Sequence, residues 1–164
     1  MKRKHGTALY LTRGAVIAAM YVALTYLSSL VGLSSGAIQF RVSEALCILP
    51  VFFPEAILGL TIGCIISNLL TGAVIWDVIF GSLATLLGAI FARLMRKLPK
   101  RLIFLATLPT VIANAVIVPF VLIYAYGAEG AYFLFLLSVA IGELVCATVG
   151  GTLLYYSLRK LRIK

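Results

Sequence analysis

The most constraining feature of this sequence is a series of apolar stretches, most of them close to the length that an α-helix needs to cross a bilayer. Such a helix takes about 20 residues, because it rises about 1.5 Å per residue through roughly 30 Å of hydrocarbon. Of the 164 residues, 63% are hydrophobic and 12% are charged. A soluble domain is closer to half apolar and a quarter charged. We therefore predict an all-α integral membrane protein that forms a single membrane domain over residues 1–164.

The apolar stretches and the breaks between them predict a bundle of six transmembrane helices. The predicted ranges are roughly 8–31, 43–53, 54–71, 75–97, 102–126 and 131–159. Basic residues cluster at Lys2–Lys4 with Arg13, at Arg93–Arg101 and at Arg159–Lys164, and each cluster adjoins an apolar stretch. Cytoplasmic loops carry such an excess of Lys and Arg. This pattern predicts that both termini lie in the cytoplasm. It also explains the net charge of +9 by the membrane topology, so the charge does not indicate nucleic-acid binding.

A small set of polar residues lies within or beside the apolar stretches, where charges are costly and are usually functional. The segment after the first helix, QFRVSEALCILPVFFPE, carries Arg41 and Glu44, whereas its last residue, Glu55, is expected at the cytoplasmic face. The other members of the set are Asn68, Trp76, Asp77, Asn114 and Glu143. Most of these fall in the half of the bundle that faces outward in the predicted topology. They predict a small-molecule pocket that opens to the outside of the cell.

The sequence lacks the motifs of common catalytic and metal sites. It contains no GxxxxGK[ST] phosphate loop and no HExxH, and His5 in the basic N-terminal segment is its one histidine. The three cysteines have neither CxxC spacing nor a histidine nearby in an apolar stretch. We therefore predict no enzyme activity, no cofactor and no metal. The remaining function is the binding of a small polar heterocycle.

Three alanines of the first predicted helix, Ala15, Ala19 and Ala23, are spaced four residues apart and so share one face. Small residues at this spacing let another helix approach closely. The spacing alone leaves two interpretations open, which are packing within the bundle and docking on another subunit.

The polar residues also have simpler interpretations. Arg41 and Glu44 would form only an ion pair with each other at the membrane surface. Asp77 would cap its helix, and Trp76 would be an interfacial anchor. At the level of the whole protein, a channel or facilitator with a polar path, or a structural subunit without a ligand, would carry similar residues.

Two stretches of the sequence resemble the QueT family, whose members are substrate-binding S components of energy-coupling factor (ECF) transporters for queuosine precursors. These stretches are QFRVSEAL, followed by Pro50, and PEAILGLTIGCIISNLLTG. The resemblance covers essentially the whole chain and implies six helices in the bacterial plasma membrane. It also implies that Ala15, Ala19 and Ala23 dock on a transmembrane coupling subunit. Two separate ABC-type ATPases would then supply the energy, in agreement with the missing phosphate loop.

The ligand that the resemblance implies is a 7-deazaguanine such as preQ1, preQ0 or queuine. Its guanine-like edge offers adjacent N–H donors, which a carboxylate can accept as a pair. On this hypothesis Glu44 or Glu143 binds that edge, and Asp77 meets the aminomethyl group where the ligand has one. An S component for another vitamin-like solute is the alternative within the same class.

The remaining candidates receive supporting roles on the same hypothesis. Asn68 and Asn114 bond the periphery of the ring, and an Asn amide or Arg41 donates to the ring carbonyl. Trp76 stacks on the flat face of the ring.

Overall fold

The structure, a computed structural model, describes residues 2–32 and 40–161, with side chains from residue 6 onward in the first helix. Within these residues every regular element is helical, so the predicted all-α class is confirmed for the described part of the chain. The α-helices are α1 (Lys2–Leu30), α2 (Ala56–Leu70), α3 (Ile75–Leu94), α4 (Leu108–Tyr124), α5 (Tyr132–Glu143) and α6 (Gly151–Lys160). A 3₁₀ helix, Val42–Val51, lies between α1 and α2, and a π-helical segment, Leu144–Gly150, joins α5 to α6.

Several helical stretches are suited to a membrane by their length and composition. In the described part of the chain, four are long and apolar enough to cross a bilayer: Gly6–Leu30, Ile75–Lys97, Lys100–Tyr124 and Tyr132–Lys160. The helices Val42–Val51 and Ala56–Leu70 are apolar but shorter. The predicted count of six spans and the cytoplasmic position of both termini stay predictions. The start of the polar stretch at Gln39 lies outside the described residues.

The short helix that the sequence analysis treated as α-helical at 43–53 is the 3₁₀ helix Val42–Val51. A 3₁₀ helix rises about 2.0 Å per residue, so its ten residues extend about 20 Å, against about 15 Å for an α-helix. Pro50 lies inside this helix, where it cannot donate a backbone hydrogen bond. Arg93 Nη1 donates to the carbonyl oxygens of Pro50 and Val51, each at 3.1 Å. Most residues of this helix are buried against neighbouring helices. The helix is shorter than a membrane span and is therefore sheltered by the rest of the bundle.

Two glycines allow close helix packing. A Cβ added to Gly63 of α2 would lie 2.9 Å from Tyr21 Cβ and 3.0 Å from the Ala18 carbonyl oxygen of α1. A Cβ added to Gly88 of α3 would lie 2.8 Å from Thr110 Cα of α4. The two carbon–carbon distances, 2.9 Å and 2.8 Å, are well below an ordinary contact of about 3.5–4.0 Å. The α1–α2 and α3–α4 pairs therefore approach each other at positions that accept no side chain.

The helix predicted at 102–126 consists of two parts. A 3₁₀ segment, Lys100–Ala106, precedes α4, and Pro109 stands in the first turn of α4. A first-turn N–H has no partner within the helix, so proline is tolerated there. Pro109 therefore marks the start of α4 within the single helix predicted at 102–126.

A separate polar contact lies at the end of the 3₁₀ helix opposite to Glu44. Arg13 Nη1 is 3.5 Å from Glu55 Oε1, and the Arg13 guanidinium lies 5.3 Å from the centre of the Phe53 ring. Glu55 is buried and thus pairs with the basic N-terminal segment. Its expected position at the cytoplasmic face stays a prediction.

Candidate substrate-binding site

The floor of the candidate site is a small apolar cluster where three segments meet. Cys47 of the 3₁₀ helix, Val111 of α4 and Ala147 of the π-helical segment pack together. Cys47 Sγ lies 4.0 Å from the Ala147 carbonyl oxygen. The packing of this cluster sets the relative positions of the three segments that carry the polar residues of the site.

One turn from this cluster, each segment carries a polar side chain. Glu44 precedes Cys47 by three residues, which is one turn of a 3₁₀ helix. Asn114 follows Val111 by three residues within α4, and Glu143 precedes Ala147 by four across the start of the π-helical segment, so each lies about one turn from the cluster. Because α4 and α5 are joined by a short turn and run in opposite directions, these spacings place all three side chains on the same side of the cluster.

The hydrogen bonds of these residues agree with that placement. Asn114 Nδ2 donates to Glu143 Oε1 at 3.0 Å. The Tyr21 hydroxyl of α1 donates to Glu44 Oε1. Glu44 is 2% exposed and Glu143 is 8% exposed, so both acids are inside the bundle.

Asn68 of α2 occupies the neighbouring part of the site and is fully buried. Its Nδ2 donates to the Asp77 carbonyl oxygen at 3.3 Å and lies 3.7 Å from Cys64 Sγ. A Cβ added to Gly81 would lie 3.2 Å from Asn68 Nδ2 and 3.3 Å from Asp77 Oδ1. Gly81 thus leaves room for these two polar side chains.

A network of polar contacts forms the roof of the site, between the chain that enters the 3₁₀ helix, the start of α3 and the turn after α4. Arg41 Nη2 is 3.7 Å from Asp77 Oδ2. The Tyr126 hydroxyl donates to Asp77 Oδ2 at 3.2 Å and accepts from the Val74 N–H at 3.2 Å. Burial raises the pKa of the Tyr126 phenol above its ordinary value. We call Arg41, Asp77 and Tyr126 the roof triad.

The structure brings most of the predicted site residues together, in a pairing that differs from the simplest one. Arg41 contacts Asp77, and Glu44 contacts Tyr21, so the proposed Arg41–Glu44 ion pair is absent from the described contacts. The first turn of α3 has no side-chain capping hydrogen bond. Asp77 instead contacts Arg41 and Tyr126, the other members of the roof triad.

Trp76 lies apart from this polar group. It is 54% exposed and stacks on Phe80 with ring centres 6.0 Å apart. It lines a cavity of about 370 Å³ between α3 and α4 that contains none of the predicted acids or amides. Adjacent residues of an α-helix point about 100° apart, so Trp76 and Asp77 face different surroundings.

Two tyrosines of the site were not identified from the sequence. Tyr21 binds Glu44, and Tyr126 binds Asp77. A signal for Tyr21 exists, because Tyr21, Thr25 and Ser28 follow one face of α1 at helical spacing and all are buried. Thr25 Oγ1 donates to Ser43 Oγ at 2.8 Å. This buried polar face marks where α1 contacts the 3₁₀ helix.

A second surface on α1 points away from the site. Ala15, Ala19 and Ala23 are exposed and line an apolar groove of about 1100 Å³ between α1 and α2. Neither this groove nor the 370 Å³ cavity is lined by Glu44, Asn68, Asn114 or Glu143. Within residues 2–32 and 40–161 the three alanines are thus exposed on the surface of the bundle, and their docking on another subunit stays a prediction.

Among the described residues, no group of three or more His, Cys, Asp or Glu side chains is arranged to hold a metal ion. The cysteines of this part of the chain are free thiols, and Cys47 and Cys64 are buried among apolar neighbours. The chemistry that the site offers is hydrogen bonding and charge, within an apolar surrounding.

Comparisons with known proteins identify similar sequences over most of the chain. A family model described as "QueT transporter" matches residues 11–160. The curated "Queuosine precursor transporter QueT" of Lactococcus lactis subsp. cremoris is 49% identical over 72 residues, which cover 44% of this chain and 42% of the relative. The chain thus spans less than half of that relative in the match, and no solved structure matches the chain. The family model includes both the polar site and the alanine face, so the predicted resemblance is confirmed and the chain belongs to the QueT transporter family.

Proposed function

We propose that this chain is the substrate-binding membrane subunit of an ECF-type importer, and that it captures a queuosine precursor, a 7-deazaguanine, from outside the cell. The family and the name of the Lactococcus relative support a transport role for precursors of this kind. The site adds a chemical reason for the ligand class.

The observation that carries the proposal is a set of buried acceptor atoms without hydrogen-bond partners. Glu44 Oε2, Asn68 Oδ1 and Glu143 Oε2 all lack a partner, although their side chains are at least nine-tenths buried. A buried polar atom without a partner costs about 1–3 kcal/mol. A ligand that brings several donors would therefore be stabilised here, and the N–H edge of a deazaguanine offers such donors side by side.

The ring carbonyl of the ligand needs a donor, and Asn114 can supply one. Its Nδ2 has two N–H bonds, of which one is directed to Glu143. The other is available to an oxygen held beside the two acids. Asn114 would thus orient Glu143 and contact the ligand at the same time, and Asn68 would accept from the ring periphery.

Titration calorimetry on the purified protein tests the ligand class. We expect 7-deazaguanines to bind and 7-deazaadenine to bind several orders of magnitude more weakly, because a site built around one hydrogen-bond pattern rejects an analogue that leaves it unpaired. The two ring systems have the same shape, so shape alone cannot produce the difference. Equal binding of both, or no binding of any deazaguanine, would refute the proposal.

The alanine groove supports the second part of the proposal, which is docking on a transmembrane coupling subunit that works with two ABC-type ATPases. Ala15, Ala19 and Ala23 expose small side chains along an apolar groove, as close helix packing in a membrane requires. The sequence contains no phosphate loop, so we assign ATP hydrolysis to separate subunits. The expected location is the bacterial plasma membrane.

A matched pair of substitutions tests the docking face. We expect Ala19→Trp to abolish co-purification with the coupling subunit and to leave ligand titration unchanged, because it fills the groove without reaching the site. Val16→Trp is the control, since Val16 is 52% exposed and does not line the groove. Co-purification that survives Ala19→Trp would exclude this face.

A further inference from the structure

The start of the 3₁₀ helix is attached to the buried polar face of α1 by hydrogen bonds from successive residues. The Val42 N–H donates to Ser28 Oγ at 3.2 Å, and Thr25 Oγ1 donates to Ser43 Oγ at 2.8 Å. These two bonds anchor the helix immediately before the first acid of the site. They do not restrict the side chain of that acid, which can still turn about its own bonds.

The third contact with α1 restricts the side chain itself. The Tyr21 hydroxyl donates to Glu44 Oε1, whereas Glu44 Oε2 is buried and lacks a hydrogen-bond partner. A hydrogen bond to one oxygen of a carboxyl group restricts where the other oxygen points. In the part of the chain that the structure describes, Tyr21 is the hydrogen-bond partner of this side chain. The position of the free oxygen therefore depends on Tyr21.

Tyr21 is itself held in place by close packing. It is 1% exposed and belongs to an apolar cluster that includes Leu46 of the 3₁₀ helix and Leu60 and Cys64 of α2. Gly63 lets α2 approach so closely that a Cβ there would lie 2.9 Å from Tyr21 Cβ. A side chain packed in this way has little freedom, so its hydroxyl is a fixed donor.

We propose that Tyr21 is a positioning residue of the binding site, which holds Glu44 Oε1 so that Oε2 is presented to a donor of the bound ligand. This inference rests on the proposed function and adds to it a residue that acts without contacting the ligand. An acceptor that is already ordered does not have to be ordered when the ligand binds, and this raises affinity. A purely structural role predicts the opposite, because loss of the hydroxyl would free a second acceptor oxygen and leave binding equal or tighter.

Affinity and stability, measured together on single variants, test this role. Tyr21→Phe keeps the ring and removes the hydroxyl, and Thr25→Val removes the neighbouring buried hydrogen bond at nearly constant shape. We expect both to lower Tm, whereas only Tyr21→Phe weakens the binding of 7-deazaguanine in calorimetry, by roughly three- to tenfold. Tyr26→Phe is the matched control, because Tyr26 of α1 is 49% exposed and its change should leave Tm and affinity unaltered.

A double-mutant cycle tests whether Tyr21 acts through Glu44. In a Glu44→Ala background there is no carboxyl group to release, so Tyr21→Phe should change the affinity for 7-deazaguanine by less than about twofold. The same fold-loss in both backgrounds would overturn the proposal. Where Glu44→Ala binds too weakly to measure, the comparison of Tyr21→Phe with Thr25→Val decides.

The remaining outcomes separate this proposal from the proposed function. A Tyr21→Phe protein that binds as tightly as the unmodified protein, or that does not fold, overturns the positioning role and leaves the proposed function standing. A loss of affinity in Thr25→Val as large as that in Tyr21→Phe assigns the effect to the whole contact with α1 and also overturns it. Failure of the unmodified protein to bind any deazaguanine overturns both.

Discussion

Replacing Gly88 by alanine should loosen the packing of α3 against α4. The added Cβ would lie 2.8 Å from Thr110 Cα and 2.9 Å from Thr110 Cβ, and it would also meet Thr110 Oγ1. The hydroxyl can rotate, but Cα belongs to the backbone of α4 and cannot. The distance to Cα is about 1 Å shorter than an ordinary carbon–carbon contact of about 3.5–4.0 Å, so the helices must move apart.

Such overpacking destabilises a protein by about 1–3 kcal/mol. Alanine is also a better helix former than glycine by about 1 kcal/mol, which offsets part of this loss. Gly6→Ala is the matched control, because a Cβ at Gly6 meets nothing within 4 Å and only the gain in helix propensity remains. We therefore expect Gly88→Ala to be less stable than Gly6→Ala by about 1–3 kcal/mol.

Thermal unfolding in detergent, followed by the fluorescence of Trp76, would measure this difference. For a chain of this length 1 kcal/mol shifts Tm by roughly 2–4 °C, so Gly88→Ala should melt several degrees below Gly6→Ala. Combining Gly88→Ala with Thr110→Ala should restore only part of the loss, since Thr110 Cα and Cβ remain. A Gly88→Ala protein as stable as Gly6→Ala would refute the close approach of α3 and α4.

Two further predictions concern polar contacts outside the deep site. Arg93→Met should lower the free energy of unfolding by about 1–3 kcal/mol, because two carbonyl oxygens at the end of the 3₁₀ helix lose a charged donor. In the same thermal melt, Arg96→Met at an exposed position should change it by less than about 0.5 kcal/mol. Tyr126→Phe removes the hydroxyl that binds Asp77 and Val74, so ligand dissociation in stopped-flow should accelerate roughly two- to tenfold; an unchanged rate would show that the roof triad does not retain the ligand.

The parts of the fold that composition and charge control were predictable from the sequence. Apolar length alone indicates helices that can cross a membrane, and the breaks at Gly72, Pro99 and Gly130 separate helical segments in the structure as well. The type of the short helix Val42–Val51 was not predictable. Its 3₁₀ geometry depends on tertiary contacts, namely its burial and the contact of Arg93 with its last carbonyl oxygens. A local pattern of apolar residues contains neither.

The sequence predicted which residues belong to the site better than it predicted which of them contact each other. Charge and amide groups in apolar stretches identified Glu44, Asn68, Asn114 and Glu143, because such residues need polar partners wherever they are buried. Sequence proximity favoured a partner three residues away for Arg41, yet its partner, Asp77, comes from another helix. Pairing across helices depends on how the helices pack, which a single sequence does not state.

The π-helical segment after Glu143 determines where the chain tolerates the loss of a residue. A π segment holds an extra residue within an otherwise α-helical rod. Deleting one residue between 144 and 150 would restore the regular repeat and leave α5 and α6 in nearly the same rotation, because the wider turn already takes up the extra residue. Deleting one residue of α6 before Tyr155, where there is no such turn, would rotate α5 by about 100° relative to the contact of Tyr155 with Phe52 and turn Glu143 away from Asn114. The same deletion should therefore preserve ligand binding in the π-helical segment and abolish it in α6, although both leave every polar side chain of the site in the sequence.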